Sequence, residues 1–134
     1  PTFTIDVGVG DHMLTPGRVI IVPPQCTISI TAPGNVSSTH LAWSNQHTPN
    51  IDELLVILSA AKLPLLGVIV FSGMGDDGVK ALPTVDAAGG RIWVQSLTSA
   101  ICDSMPKAAL KTELAHKTDD PAQLASALEA LYRE

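Results

Sequence analysis

The stretch Leu66-Gly67-Val68-Ile69-Val70-Phe71-Ser72-Gly73-Met74-Gly75-Asp76-Asp77-Gly78 decides how this chain is read. Its first six residues are uncharged and dominated by β-branched and aromatic side chains. Such a run is expected to form a central, parallel strand covered on both faces. The glycine-rich turn that follows falls where sites gather in open α/β sheets, at the carboxyl end of a strand. Its three glycines allow positive φ angles and close approach of a ligand to the backbone. Exposed amides in such a turn suit a carboxylate, a phosphate or an oxyanion. Asp76 and Asp77 stand at the start of the next helix. One acid is enough for an N-cap; two acids with three glycines exceed that need and mark the turn as a candidate functional site.

Working outward, a short helix is expected from about Asp77, broken or restarted by Pro83, which lacks an amide hydrogen. Ala88-Gly89-Gly90 closes it, and Arg91 to Val94 forms the next strand. This is a β-α-β crossover, the unit of a doubly wound sheet. Ser104 is expected to cap a helix running to about Leu114, with Pro106 tolerated in its first turn. Asp120 and Gln123 show capping-box spacing before a last helix whose apolar face is Leu124, Ala127, Leu128 and Leu131. Upstream, Asn50 and Glu53 cap a helix with Ile51, Leu54, Leu55 and Leu58 on one face, ended by Lys62-Leu63-Pro64. The first half reads as β structure. Thr4 to Val7 is a strand, Gly8 to Gly17 a loop, and Arg18 to Val22 a buried strand stopped by Pro23-Pro24. Cys26 to Thr31 alternates as a strand with one wet face, Pro33-Gly34-Asn35 turns the chain, and Thr39 to Ser44 is the expected partner strand.

The 134 residues suit one compact domain or a large piece of one, and 46% apolar residues are enough to build a core. The formal charge of −5 comes without any clustering of the eight Lys and Arg residues, so no nucleic-acid partner is expected. The longest apolar run, Leu63 to Phe71, is too short for membrane insertion. No secretory leader is visible at Pro1-Thr2-Phe3-Thr4, and the chain lacks an initiator Met, which is read as the mark of a fragment. Cys26 and Cys102 match no redox or metal spacing and read as reduced thiols of a cytoplasmic protein. His12, His40, His47 and His116 are scattered, so no metal site is expected.

Two chemistries suit a turn of this kind, dinucleotide binding and serine hydrolysis. Gly73-x-Gly75-x-x-Gly78 has the form of a dinucleotide fingerprint, but Asp76 and Asp77 would repel a pyrophosphate there. No Gly-x-Ser-x-Gly elbow is present, and nothing marks Ser72 as activated. His40 and His47 lie in a polar loop. Of a serine-hydrolase constellation, the residues alone offer only the carboxylate.

Several segments together resemble the catalytic domain of the chemotaxis protein-glutamate methylesterases, the CheB type. The family's Thr-Gly-Met-Gly-x-Asp-Gly turn is similar to Ser72-Gly73-Met74-Gly75-Asp76-Asp77-Gly78. Its His-x-Pro-Ser-Val-Asp stretch is similar to His47-Thr48-Pro49-Asn50-Ile51-Asp52. Its Asp-Gly-x-x-Leu-x-Pro-Gly region, with a later Ala-Pro, is similar to Gly10-Asp11-His12-Met13-Leu14-Thr15-Pro16-Gly17 with Val22-Pro23. A downstream Gln, Ser and Gly-Met-Pro-x-x-Ala match Gln95, Ser99 and Ser104-Met105-Pro106-Lys107-Ala108-Ala109. Order and spacing agree from about Phe3 to the end.

The resemblance implies a doubly wound, mostly parallel α/β sheet of which residues 1–134 are the C-terminal part, the N-terminal part being missing. It implies hydrolysis of γ-glutamyl methyl esters, or deamidation of glutamines, on the cytoplasmic helices of methylated chemoreceptors, under a receiver domain and without a cofactor. Asp77 maps to the acid of a Ser-His-Asp triad, where it would accept the imidazole Nδ1 proton in a hydrogen bond and stabilise the imidazolium. Met74, with Gly73 and Gly75, maps to the segment lining the site near the oxyanion. The family's Ser-Thr-Gly-Gly nucleophile and His-Met base precede the region matching Phe3. The chain is therefore expected to be truncated upstream, or to descend from a member that lost both groups, and to be inactive alone. Asp103 and Ser104 replace an aromatic and a glycine, Ser96 an acidic or amide residue, and Thr27 a common His. The competing reading is a degenerate, non-catalytic module that docks onto receptors or a signalling partner.

Overall fold

The computed structural model describes residues 3–44, 48–61 and 67–132. The chain folds as two compact units, Pro1–Pro64 and Leu65–Glu134.

The first unit is mainly β. Strand β1 (Thr4–Val7) pairs in parallel with β3 (Arg18–Ile21), and β2 (Asp11–Met13), β4 (Ile28–Thr31) and β5 (Asn35–Ser38) form an antiparallel sheet in the order β2-β5-β4. Three expectations are corrected. The loop from Gly8 to Gly17 contains β2, a strand too polar to announce itself. The partner of β4 is Asn35–Ser38 rather than Thr39 to Ser44, because Gly34 N–H bonds back to Thr31 C=O and the turn closes at once. Pairing does continue outward, with Thr39 N–H on Thr27 C=O and Thr27 N–H on Leu41 C=O. Strand β3 is not buried throughout: Val19 and Ile21 are exposed, while Arg18 turns to a 2.8 Å ion pair with Asp6.

Helix α1 (Ile51–Ala60) starts where expected, with Glu53 N–H donating to Asn50 Oδ1 at 3.0 Å. The Glu53 carboxylate accepts from the Ser44 amide and hydroxyl, so it ties the preceding segment to the helix's first turn. Trp43 is buried, its indole N–H satisfied by Pro23 C=O. His47 and the expected helix stop at Lys62-Leu63-Pro64 lie outside the described residues.

The second unit is α/β. Strands β6 (Gly67–Val70), β7 (Arg91–Gln95) and β8 (Lys117–Asp119) form a parallel sheet in that order. The expected crossover joins β6 to β7 through a 3-10 turn (Val79–Ala81) and helix α2 (Leu82–Ala87), with Pro83 in the first turn. Helix α3 (Ser104–Leu110) links β7 to β8, and α4 (Pro121–Tyr132) ends the described chain. Asp120 Oδ1 caps α4 by accepting from Gln123 N–H at 2.8 Å. Helix α3 stops short of Leu114 because Glu113 takes a left-handed conformation, φ 61°, after Thr112 bonds back to Ala109 C=O. Its N-cap is Asp103, and Ser104 is its first residue.

The expected central strand is also corrected. Strand β7 occupies the centre, with Ile92, Trp93, Val94 and Gln95 all buried, whereas β6 is half-buried and carries no other strand among the described residues. The apolar run located a strand, but strand order was set by β8, whose Lys-Thr-Asp sequence carries no apolar signal. Ile92 and Val94 lie on one face of β7 and Trp93 on the other, where it lines a groove of about 240 Å³ with Leu128 and Leu131. Leu82, Val85, Ile92, Val94 and Leu124 are shut off from solvent. Truncation of such a side chain leaves a cavity, so Leu124→Ala is expected to lower stability by about 3 kcal/mol, read by urea denaturation followed by circular dichroism.

Candidate functional site

The site is built from two loops at the carboxyl ends of β6 and β7. The β6 loop is the turn from Ser72 to Gly78. The β7 loop begins at Ser96, passes through a 3-10 turn (Leu97–Ser99) and enters α3. Four main-chain or hydroxyl bonds tie the two loops, and the Gln95 side chain adds a fifth connection.

Ser72 Oγ donates to Cys102 C=O at 3.0 Å and accepts from Cys102 N–H at 2.9 Å. Gly73 N–H also donates to Cys102 C=O, and Gly73 C=O accepts from Met105 N–H. The side-chain carbonyl of Gln95 accepts from Ser72 N–H at 2.8 Å, while its amide donates to Ser99 C=O at 3.0 Å. Gly73 fits under Met105 because it lacks a side chain; a Cβ there would come within 3.3 Å of the Met105 Sδ and Cε atoms.

Among the described residues, the amides of Met74, Gly75 and Asp76 have no acceptor, and all three residues are exposed. Gly75 and Gly78 hold φ angles of 81° and 94°, which L side chains rarely adopt. These two reversals separate the acids. Asp76 is exposed, its C=O accepting from Val79 N–H, whereas Asp77 is buried at 8% exposure. Met74 projects into solvent, at 82% exposure. Ile101, beside Cys102, is fully exposed on the facing loop.

The structure thus brings together Asp77, Gly73, Met74 and Gly75 with Gln95, Ser99 and Met105, which the sequence had placed in separate motifs. Ser72 is engaged both as donor and as acceptor, which fits a structural hydroxyl better than a nucleophile. The Gly73 amide is likewise occupied, leaving Met74, Gly75 and Asp76 as the open donors. Sequence reasoning missed Cys102 and gave Gln95 no role. The signals for Gln95 were its match to the family's downstream Gln and a polar side chain closing the apolar run Ile92-Trp93-Val94. Ser96 bonds the Ser99 hydroxyl, Asp103 lies 3.9 Å from Lys107, and Ser104 Oγ is 3.7 Å from the Cys102 thiol, so these departures from the family pattern sit in or beside the β7 loop. Thr27 is in the other unit, buried and bonded to Thr39. His40 is exposed in that unit, and His47 is outside the described residues. Among the described residues no group of three or more His, Cys, Asp and Glu could hold a metal ion, and no helix is long and apolar enough to cross a membrane. The turn leads into a 3-10 segment and a six-residue helix, a poor substitute for the long helix N-terminus of a dinucleotide site.

A parallel α/β unit with a glycine-rich strand-end turn and one buried acid defines the broad class. The family model described as CheB methylesterase matches residues 4–128, and the chain belongs to that family. It is 28% identical over 129 residues to protein-glutamate methylesterase/protein-glutamine glutaminase 4 of Myxococcus xanthus, covering 96% of this chain and 36% of that protein. It is 35% identical over 104 residues to protein-glutamate methylesterase/protein-glutamine glutaminase 2 of Hahella chejuensis, covering 75% of this chain and 28% of that protein. The solved CheB methylesterase catalytic domain of Thermotoga maritima shares the fold, with a TM-score of 0.76 at 22% identity, covering 91% of this chain and 66% of that one. The chain spans about a third of the length of the curated relatives it matches.

The Ser72 tie gives a direct test of the loop architecture. Ser72→Ala should lower stability by about 1 kcal/mol, because both bonds to Cys102 are lost at a solvent-accessible position. Ser72→Thr, which keeps the hydroxyl, should stay within about 0.5 kcal/mol of the parent in the same urea titration.

Proposed function

We propose that residues 1–134 are the C-terminal part of a protein-glutamate methylesterase/deamidase domain, and that they supply the carboxylate of its Ser-His-Asp triad, Asp77. The observation that carries this reading is the burial of Asp77 beside three open amides, in a turn fastened to the β7 loop. A buried carboxylate suits the orienting role: it accepts a hydrogen bond from imidazole Nδ1–H, fixes the tautomer, and stabilises the imidazolium formed as the serine loses its proton. The Met74 and Gly75 amides suit the negative oxygen of the tetrahedral intermediate, and the occupied Gly73 amide anchors them from behind. The substrate would be a glutamyl methyl ester, or a glutamine, on the cytoplasmic helices of a methylated chemoreceptor, with a receiver domain as regulator and the cytoplasm as the compartment. No cofactor enters this chemistry. Serine and histidine would come from the part of the domain that these residues do not include.

Two measurements test the proposal. The 134-residue chain alone should release no methanol from a methylated receptor, because an orienting carboxylate makes and breaks no bond itself. Spliced in place of the matching part of an active methylesterase relative, it should restore hydrolysis, and Asp77→Asn in that chimera should reduce kcat by about 10³- to 10⁴-fold. A folded chimera with no activity, beside an active parent relative, would instead support the non-catalytic docking module.

A further inference from the structure

Gln95 is buried at 5% exposure, at the end of the central strand, and its side chain bonds to both loops of the site. Its Oε1 accepts from Ser72 N–H at 2.8 Å, and its Nε2 donates to Ser99 C=O at 3.0 Å and reaches Ser99 Oγ at 3.3 Å. The partners fix the orientation of the amide, because a backbone N–H can only donate and a backbone C=O can only accept. The position therefore demands a side chain with an acceptor and a donor on one planar group. Glutamate offers only acceptors when ionised, and leucine offers neither.

The two ends of this bridge serve different loops. Ser72 starts the turn that carries Met74, Gly75 and Asp77. Ser99 closes the 3-10 segment of the β7 loop, three residues before Cys102. That segment is stiffened by Ser99 N–H on Ser96 C=O and by the paired Ser96 and Ser99 hydroxyls. Cys102 then returns to Ser72 Oγ and Gly73 N–H. The result is a closed ring of hydrogen bonds: Gln95, Ser99, the chain to Cys102, Ser72 and back to Gln95. Such a ring restrains Ser72 and Gly73, which lead directly into the open amides of Met74 and Gly75.

We infer that Gln95 is the positioning residue of this site: by bridging Ser72 and Ser99 it fixes the turn so that the Met74 and Gly75 amides face outward, unpaired. The inference rests on the reading of this turn as the methylesterase site, but its test does not require catalysis. Amide hydrogen exchange, followed by NMR on the 134-residue chain, is compared between the parent, Gln95→Leu and Gln95→Glu, with Val94 of the central strand as internal reference. In Gln95→Leu, protection at Ser72, Gly73 and Cys102 should fall by about tenfold or more relative to Val94. In Gln95→Glu, the carboxylate still accepts from Ser72, so Ser72 should stay within about threefold of the parent, while Ala100 and Cys102 lose protection with the Ser99 bridge. A residue that merely packs the strand end would give a uniform fall, Val94 included, in both variants. Either that uniform fall or unchanged relative protection at Ser72, Gly73 and Cys102 overturns the inference. Should Gln95→Leu not fold, the divided pattern of Gln95→Glu decides alone. Because the exchange pattern is read without substrate, failure of the chimera assay leaves this result standing, and failure here leaves the assignment of Asp77 intact.

Discussion

The geometry of the site depends on one small group, the hydroxyl of Ser72, which bonds both the N–H and the C=O of Cys102. A hydroxyl can do this because it donates once and still accepts. The pair acts as a short rung between two loops that belong to neighbouring strands and would otherwise move separately. Once Ser72 is fixed, Gly73 N–H falls onto the same carbonyl and Met105 N–H onto Gly73 C=O, so the entry of α3 is set by the same contact. The missing side chain at Gly73 lets Met105 close over the turn, and with the first two residues held, the next three amides are left facing solvent.

This arrangement explains a division of labour among residues that look alike in the sequence. Asp76 and Asp77 are adjacent acids, but a left-handed glycine precedes one and another follows the second, so one lies in solvent and the other inside. A buried carboxylate persists only with partners, and Asp77 has them. Likewise, Ser72 and Ser99 are both hydroxyl residues at loop positions, yet both are engaged as fasteners, Ser99 donating to Ser96 C=O. The open chemistry of the described turn is therefore electrostatic: amide donors and one protected acid.

The crossover was legible because two independent signals agreed, an uncharged β-branched run and a glycine-rich turn at its end. The helix starts at Asn50 and Asp120 were legible because capping is local chemistry, and in both cases the side chain accepts from the amide three residues on. Strand order was not legible. Lys117-Thr118-Asp119 becomes a strand because β7 offers it a free row of backbone groups, and that pairing has no side-chain signature. The same holds for Asp11-His12-Met13 beside β5. An apolar run reports burial on average; the centre of the sheet went to the strand that found partners on both sides, Arg91–Gln95. At the site, the glycines and acids stood out by type, whereas Gln95 and Cys102 act through where the fold brings them.

Gln95 shows why the distinction matters for reading such a family. Its contacts are to backbone atoms of Ser72 and Ser99, so no particular side chain at those two positions is needed for the bridge. The Gln95 bridge therefore places no demand on the side chain at position 72, whereas the rung to Cys102 needs the hydroxyl there. The departures at Ser96, Asp103 and Ser104 lie in or beside the β7 loop; Ser96 stiffens that loop internally through Ser99, whereas the bonds to the β6 turn run through Cys102 and Met105. Gln95, by contrast, bonds both that loop and the turn from the end of the central strand.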